Sequence, residues 1–541
     1  MKPANSSLHQ LTRLDGLLAS LMGLVSLVLY IRTLAPGLLY GDSGEFQTLV
    51  YSLGMTHPTG YPVYLLLGRL FSLLPVGDPD WRVNLFSAVL ASLSVTNVYL
   101  LVRLLAGWRL AGVTAAVTLA IAPLFWYFSV IAELYAPACA FLGGLLLFLL
   151  LWRQSGKWGW LAASGMLGGL SLGVHTSVAL AAPGILVYLV LVTLSSRLLP
   201  GKERWKSWLV AAAGAVAGMA LYLCAFLVLD VRNPDAGYYH ATIQPALSLW
   251  NMTAADFDSP FERLKFLLGA RQFSYAMFSN PAATMSSIAG EYWQQLKIDF
   301  TPVSLILAGI GLVGLFLRRW REAILLVLGW GVAMFFITNY DIFDITALFV
   351  PTYVFLVAWV GIGLGILMTT IAWLFKRLRL NRVALPAALL LGISALVLTL
   401  QPSSERILTA WQAKAVVFMR NTGYAYYPYN IDMPQAAQTQ AQLIVNAVED
   451  DAIVFVHWDL LFPCYYVADG QNRSGIDFHE TYSQEGISEV GESAADYIAE
   501  NIDERPVYFL DLPVGPQMSR FQFKPVHRDG ISLYQVAGLR P

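Results

Sequence analysis

The sequence predicts a mainly α-helical protein that crosses a membrane many times and ends in a small α/β domain. Three observations predict it. Hydrophobic residues make up 57% of the 541 residues and charged residues only 13%, with a mean hydropathy of +0.58. That balance belongs to polytopic membrane chains. Apolar segments long enough to span a bilayer recur through the first three quarters of the chain. From residue 402 the apolar character is lost, and strand-like and helical patterns alternate instead. The chain therefore reads as a transmembrane domain, 1–401, followed by an extracytoplasmic α/β domain, 402–541.

Taken in order, residues 16–34 are almost wholly apolar and follow Lys2 and Arg13. A signal peptide begins the same way, but this run is long enough to span and no small-x-small cleavage site follows it, so it reads as an uncleaved first helix. About eleven apolar segments follow the same length rule. They centre near residues 25, 94, 119, 143, 167, 186, 218, 310, 330, 360 and 392. Residues 43–75 are less apolar and suit short interfacial helices. One set of loops is basic, with Lys2 and Arg13; Arg103 and Arg109; Arg153 and Lys157; Lys202, Arg204 and Lys206; Arg318, Arg319 and Arg321; and Lys376, Arg377, Arg379 and Arg382. The positive-inside rule places that set, and the N-terminus, in the cytoplasm. The alternate loops and the tail then lie outside. In the tail, Ala452–Val456, Val507–Leu510 and Ile531–Tyr534 read as strands, with helices near 433–449 and 492–501.

Net charge is −1, which gives no basis for nucleic-acid binding. Cys139, Cys224 and Cys464 form neither a disulfide framework nor a zinc-ligand pattern, and His240, His457 and His479 have no metal-ligand spacing. The chemistry-bearing residues sit in the outer loops. Gly41-Asp42-Ser43-Gly44-Glu45 puts two carboxylates three residues apart, so a helix over 43–54 turns both toward one spot, with Asp42 as its cap. Ionisable groups at a membrane boundary are costly and mark substrate or proton paths. Asp42 or Glu45 is thus a candidate general base. His57-Pro58-Thr59-Gly60-Tyr61-Pro62 is a rigid turn whose His57 suits a phosphate or a sugar hydroxyl. Tyr61, Glu133, His175, Asp341 and Asp344 are further candidates to bind substrate, and Arg263 and Arg271 suit a lipid phosphate. Each has a plainer structural role as well. Asp42 caps a helix, Tyr61 and Tyr64 anchor at headgroups, Glu133 snorkels, His175 ends a helix, Asp341 and Asp344 cap a turn, and the arginines touch ordinary lipid.

In combination, the Gly41–Phe46 motif, His57–Pro62, Phe125-Trp126 with Glu133-Leu134-Tyr135, and Gly169-Leu170-Ser171-Leu172-Gly173-Val174-His175 resemble one family. It is the protein O-mannosyltransferase-like membrane family that includes transmembrane protein 260. The resemblance is strongest over residues 30–185 and looser over Tyr340–Pro351. It implies a GT-C glycosyltransferase bundle, which takes a sugar from a polyprenyl-phosphate carrier on the outer side of the membrane and passes it to a protein or glycan acceptor. It also implies a catalytic acid in the first outer loop, at Asp42 with Glu45 beside it. A glycosyl phosphate is already activated, so no cofactor is implied. Asp42, Glu45 and Glu133 could gather a divalent metal, but their spacing does not demand one. The tail lacks the tetratricopeptide-like period of the animal members, so the acceptor stays open. A transporter or flippase of a lipid-linked or small polar substrate is the alternative. Transporters, however, hold their charges near the midplane, often within inverted repeats, whereas here the charges gather on one side.

Overall fold

The computed structural model describes residues 8–195, 201–232, 237–279, 281–419, 425–482 and 489–540. Lys2 of the basic set lies outside them, as does the side chain of Lys202. The chain is mainly helical with a small C-terminal sheet, and its long apolar helices make it an integral, multi-pass membrane protein. It packs as two compact units. One comprises Met1–Leu34, Ser87–Tyr222 and Tyr275–Pro428, and the other Ala35–Phe86, Leu223–Ser274 and Tyr429–Pro541.

The first unit is helical. Among the described residues of the whole chain, 8 helices are long and apolar enough to cross a membrane, or up to 9 if a pair bent by 67°, Arg109–Ala120 with Pro123–Ser129, counts as one span. All eleven expected centres fall within helices, but fewer helices than eleven meet the length test. With the bent pair counted as one span, the remaining difference has two causes. Helix Trp158–Leu170 is only 13 residues long and breaks into a 3₁₀ turn at Ser171. The centres at 310 and 330 share one 36-residue helical stretch, Pro302–Ile337, interrupted by non-helical Arg319 at φ −147°, ψ 60°. Helices Tyr135–Ser155 and Ile345–Arg377 are the most buried of the set, and Arg13–Arg32 and Asn381–Ala413 the least. A Cβ on Gly311 or Gly363 would come within 1.9 Å of a backbone oxygen of the other helix. Only glycine lets the two main chains touch there, the packing mode of membrane helices. At the basic end, Thr12 caps the first helix, and buried Asp15 is gripped by Arg103 at 3.0 Å and Arg109 at 2.9 Å.

The second unit contains the two short helices expected as interfacial, Gly41–Ser52 and Pro62–Ser72, together with the sheet. A two-residue ribbon, β1 (Phe418–Met419) with β2 (Ala425–Tyr426), precedes it in the chain and belongs to the first unit. The main sheet comprises β3 (Ile453–Val456), β4 (Asp477–Glu480), β5 (Val507–Phe509), β6 (Phe521–Arg528) and β7 (Ile531–Leu539), in the order β4-β3-β5-β7-β6. β3 is parallel to both β4 and β5, and β7 is antiparallel to β5 and β6. Every side chain of β3 is buried, as a central parallel strand covered on both faces requires. Helices Trp458–Gly470 and Glu492–Asn501 make the crossovers.

Candidate functional site

The site in the second unit is built on helix Gly41–Ser52. Its approach is fixed by buried Gln47, which accepts the Leu39 N–H at 2.9 Å and donates to Gly37 O and to Asn84 Oδ1, each at 3.0 Å. The helix starts earlier than the sequence suggests. Tyr40 is the N-cap and makes no side-chain cap bond. Asp42 therefore lies in the first turn and does not cap the helix; its carboxylate, partly exposed, instead accepts the indole N–H of Trp458 at 2.9 Å. Trp458 opens the crossover helix Trp458–Gly470, which packs directly on Gly41–Ser52. Thr48 Oγ1 donates to Phe462 O at 2.9 Å, and a Cβ on Gly44 would stand 3.1 Å from the Pro463 ring and 2.4 Å from Leu39 O.

One turn beyond Asp42, Glu45 is fully buried and holds His57 twice. It accepts the His57 backbone N–H at 2.8 Å and the Nδ1 at 2.5 Å. Burial alone would lower the imidazole, but the neighbouring Glu45 and Asp42 carboxylates outweigh it and raise it to about 9. The ring is enclosed by Phe46, Tyr61, Tyr238 and Trp458, with centroids between 5.3 and 6.2 Å. Tyr61 is buried and turns its hydroxyl to Pro58 O at 2.9 Å, so it shapes the turn as well as the ring cage. Two more acids face this spot. Glu480, at the end of β4, is pushed up to about 8, first by burial and then by Glu45, Asp42 and Asp459, against a hydrogen bond from Thr242. Burial also raises Asp459, with Asp42 adding to it. Among the described residues, no group of three or more His, Cys, Asp or Glu is arranged to hold a metal ion.

The arginines part ways. Arg263 is committed within the protein: Nε and Nη2 each reach Asp230 at 2.7 Å, and Nη1 reaches Phe257 O at 2.5 Å. Arg271 is exposed at the start of the turn Arg271–Ala276. Glu133, His175, Asp341 and Asp344 lie in the first unit. Glu133 is buried, with its backbone exchanging hydrogen bonds with Ser87. His175 caps the 3₁₀ helix Thr176–Ala181 through Ser177 and meets the Tyr135 ring at a tilt of 56°, with centroids 5.0 Å apart. Asp344 precedes the 3₁₀ turn at Ile345 and accepts from Thr346 at 3.1 Å, while Asp341 is exposed with its N–H on Ala276 O. Tyr238 and Glu480 carry no local sequence signal for this site, and Trp458 carries only a weak one, as part of His457-Trp458-Asp459 directly after the strand Ala452–Val456.

Residues 42–198 match the family model of the Protein O-mannosyl-transferase TMEM260 N-terminal domain. The match spans Asp42, Glu45, His57, Tyr61, Glu133 and His175. Protein O-mannosyl-transferase TMEM260 of Mus musculus is 34% identical over 118 residues, 22% of this chain and 17% of that protein. The protein of the same name from Dictyostelium discoideum is 28% identical over 128 residues, 23% of this chain and 16% of that one. The aligned stretch is thus less than a fifth of either relative's length. Among solved structures, the arabinofuranosyltransferase AftD from Mycobacteria aligns with 98% of this chain and 40% of its own, at 13% identity and a TM-score of 0.41.

Proposed function

We propose that the protein is a GT-C-like membrane glycosyltransferase. It transfers a sugar, mannose or another hexose, from a polyprenyl-phosphate donor to an acceptor hydroxyl on a protein or glycan. The observation that carries this reading is the partly exposed Asp42 carboxylate held beside a buried Glu45–His57 pair, inside the stretch that matches the TMEM260 N-terminal domain. Asp42 has one oxygen on the Trp458 N–H and a second with which to take the acceptor proton. The acceptor oxygen then forms a bond to the anomeric carbon as the bond to phosphate breaks, and the electron pair leaves on the phosphate oxygen. A single displacement of this kind inverts the anomeric centre. Glu45, engaged by His57, orients that imidazole and is not the base. His57, held cationic by its neighbours, offers positive charge close to the developing phosphate. Arg263 is neutralised by Asp230, which leaves Arg271 as the stronger candidate for the donor phosphate. Glu133, His175, Asp341 and Asp344 remain candidates for acceptor or donor contacts. The reaction side is the outer one, shared with residues 402–541, by the asymmetry of the basic loops.

The test is purified protein assayed with a panel of polyprenyl-phosphate sugars and hydroxyl acceptors. Transfer should appear with at least one lipid-linked hexose and fall ~100-fold to 10,000-fold in Asp42→Asn, the usual worth of a general base. Near-normal turnover in that variant would remove Asp42 from the role.

A further inference from the structure

We propose that the basic end of the helical unit carries a second site, which binds the phosphodiester headgroup of an anionic membrane lipid. The proposal is independent of the sugar-transfer reading. A cavity of about 580 Å³ opens there between the helix ends, lined by His9, Trp108, Arg318 and Arg319 on its polar side and by Leu315 and Ile366 among its apolar residues. Among the described residues, its lining includes no Asp or Glu. Asp15 is shared by Arg103 and Arg109, and Glu322, which accepts from the Tyr188 hydroxyl at 3.2 Å, offsets Arg319, so two arginines of the lining, Arg318 and Arg319, are set against one acid. The positive surplus registers on His9, which is lowered first by burial and then by Arg319 and Arg103. A phosphodiester would balance the second of these charges and accept from a guanidinium fork.

The walls favour a lipid over a free anion. The cavity mouth carries Leu317, which is 82% exposed, so an acyl chain leaving the headgroup meets apolar surface at once. Arg319 is able to face the cavity because the helical stretch breaks there. That break turns two arginines, Arg318 and Arg319, toward one opening, where an unbroken helix would spread them about 100° apart. The Trp108 indole, fixed by its N–H on Thr369 Oγ1 at 2.9 Å, also lines the cavity, and tryptophan is favoured where apolar chains meet polar headgroups. Basic pockets between membrane helices are established headgroup sites in general.

The experiment uses the full chain reconstituted in neutral lipid, with photoreactive phosphatidylglycerol or phosphatidylcholine added at equal concentration and the labelled peptides mapped. Phosphatidylglycerol should label the segments around Trp108 and Arg318 at least about tenfold more than phosphatidylcholine. Arg318→Gln together with Arg319→Gln should bring that label down to the phosphatidylcholine level. Arg318 is exposed, so Arg318→Gln alone leaves the break in the helix untouched and should still lower the label about threefold or more. Equal labelling by the two lipids, or a label unchanged in both variants, would overturn the site. Loss of the label to millimolar inorganic phosphate would reassign it to the free anion and overturn the lipid.

Discussion

In the proposed reaction, Trp458 and His57 govern how Asp42 works without themselves reacting. The indole N–H fixes one carboxylate oxygen, so Trp458 is a positioning residue. Trp458→Phe keeps a ring against His57 and Tyr238 but removes the donor. A hydrogen bond to a charged group is worth ~1.5–3 kcal/mol, so kcat should fall by roughly tenfold or more while the donor KM stays near its original value. Steady-state kinetics on the purified variant check this, and a change confined to KM would place Trp458 in binding instead. His57 makes a second prediction. Its folded value, about 9, lies above its ordinary 6.5. The stability it contributes is therefore fully present below pH 6.5 and is lost as pH rises through 9. The melting temperature should decline across that window, and Glu45→Gln should flatten the decline, as read by differential scanning fluorimetry. Asp42, Glu45 and His57 were legible in the sequence because ionisable groups are rare and expensive in so apolar a chain. Trp458, Tyr238 and Glu480 were not, because no local pattern announces a partner hundreds of residues away.

At the scale of elements, the contact between helices Gly41–Ser52 and Trp458–Gly470 is the joint on which the site depends. Gly44 sits where a methyl group has no room. Gly44→Ala should push the helices apart and cost ~1–3 kcal/mol, the usual penalty of overpacking. Proteolysis in the Trp458–Gly470 region, followed over time, should speed up in the variant; an unchanged rate would mean that the joint yields without strain. Periodicity revealed β3 and β5 because they are unbroken buried runs of apolar and aromatic residues, and the start of β7 through the alternation of Ile531 and Leu533 with Ser532. It missed β4 and β6, whose Asp477-Phe478-His479-Glu480 and Phe521–Arg528 mix charge into the ladder. It also missed the helix around Pro463, a residue that usually argues against one.

For the whole molecule, composition divides a chain only into contiguous stretches, whereas compaction gathers three separate stretches into each unit. Among the described residues, hydropathy located every helix long and apolar enough to cross a membrane but not the broken turn at Arg319, because that depends on how neighbours pack. The orientation drawn from the basic loops has a direct check. Asp529, exposed in the turn between β6 and β7, replaced by cysteine should react with a membrane-impermeant maleimide on intact cells. Reaction only after permeabilisation would reverse the topology and move the Asp42 site to the inner face.

The bond from Trp458 to Asp42 joins residues 416 apart, and this has a meaning in time. A ribosome adding ~5–20 residues per second makes Asp42 roughly 20–80 s before the indole that steadies it. The first loop would wait through that interval with its acid unsteadied and its aromatic cage open. A nascent chain halted before the crossover helix should insert its early spans and yet stay silent, so that competence arrives only as synthesis of the tail is completed.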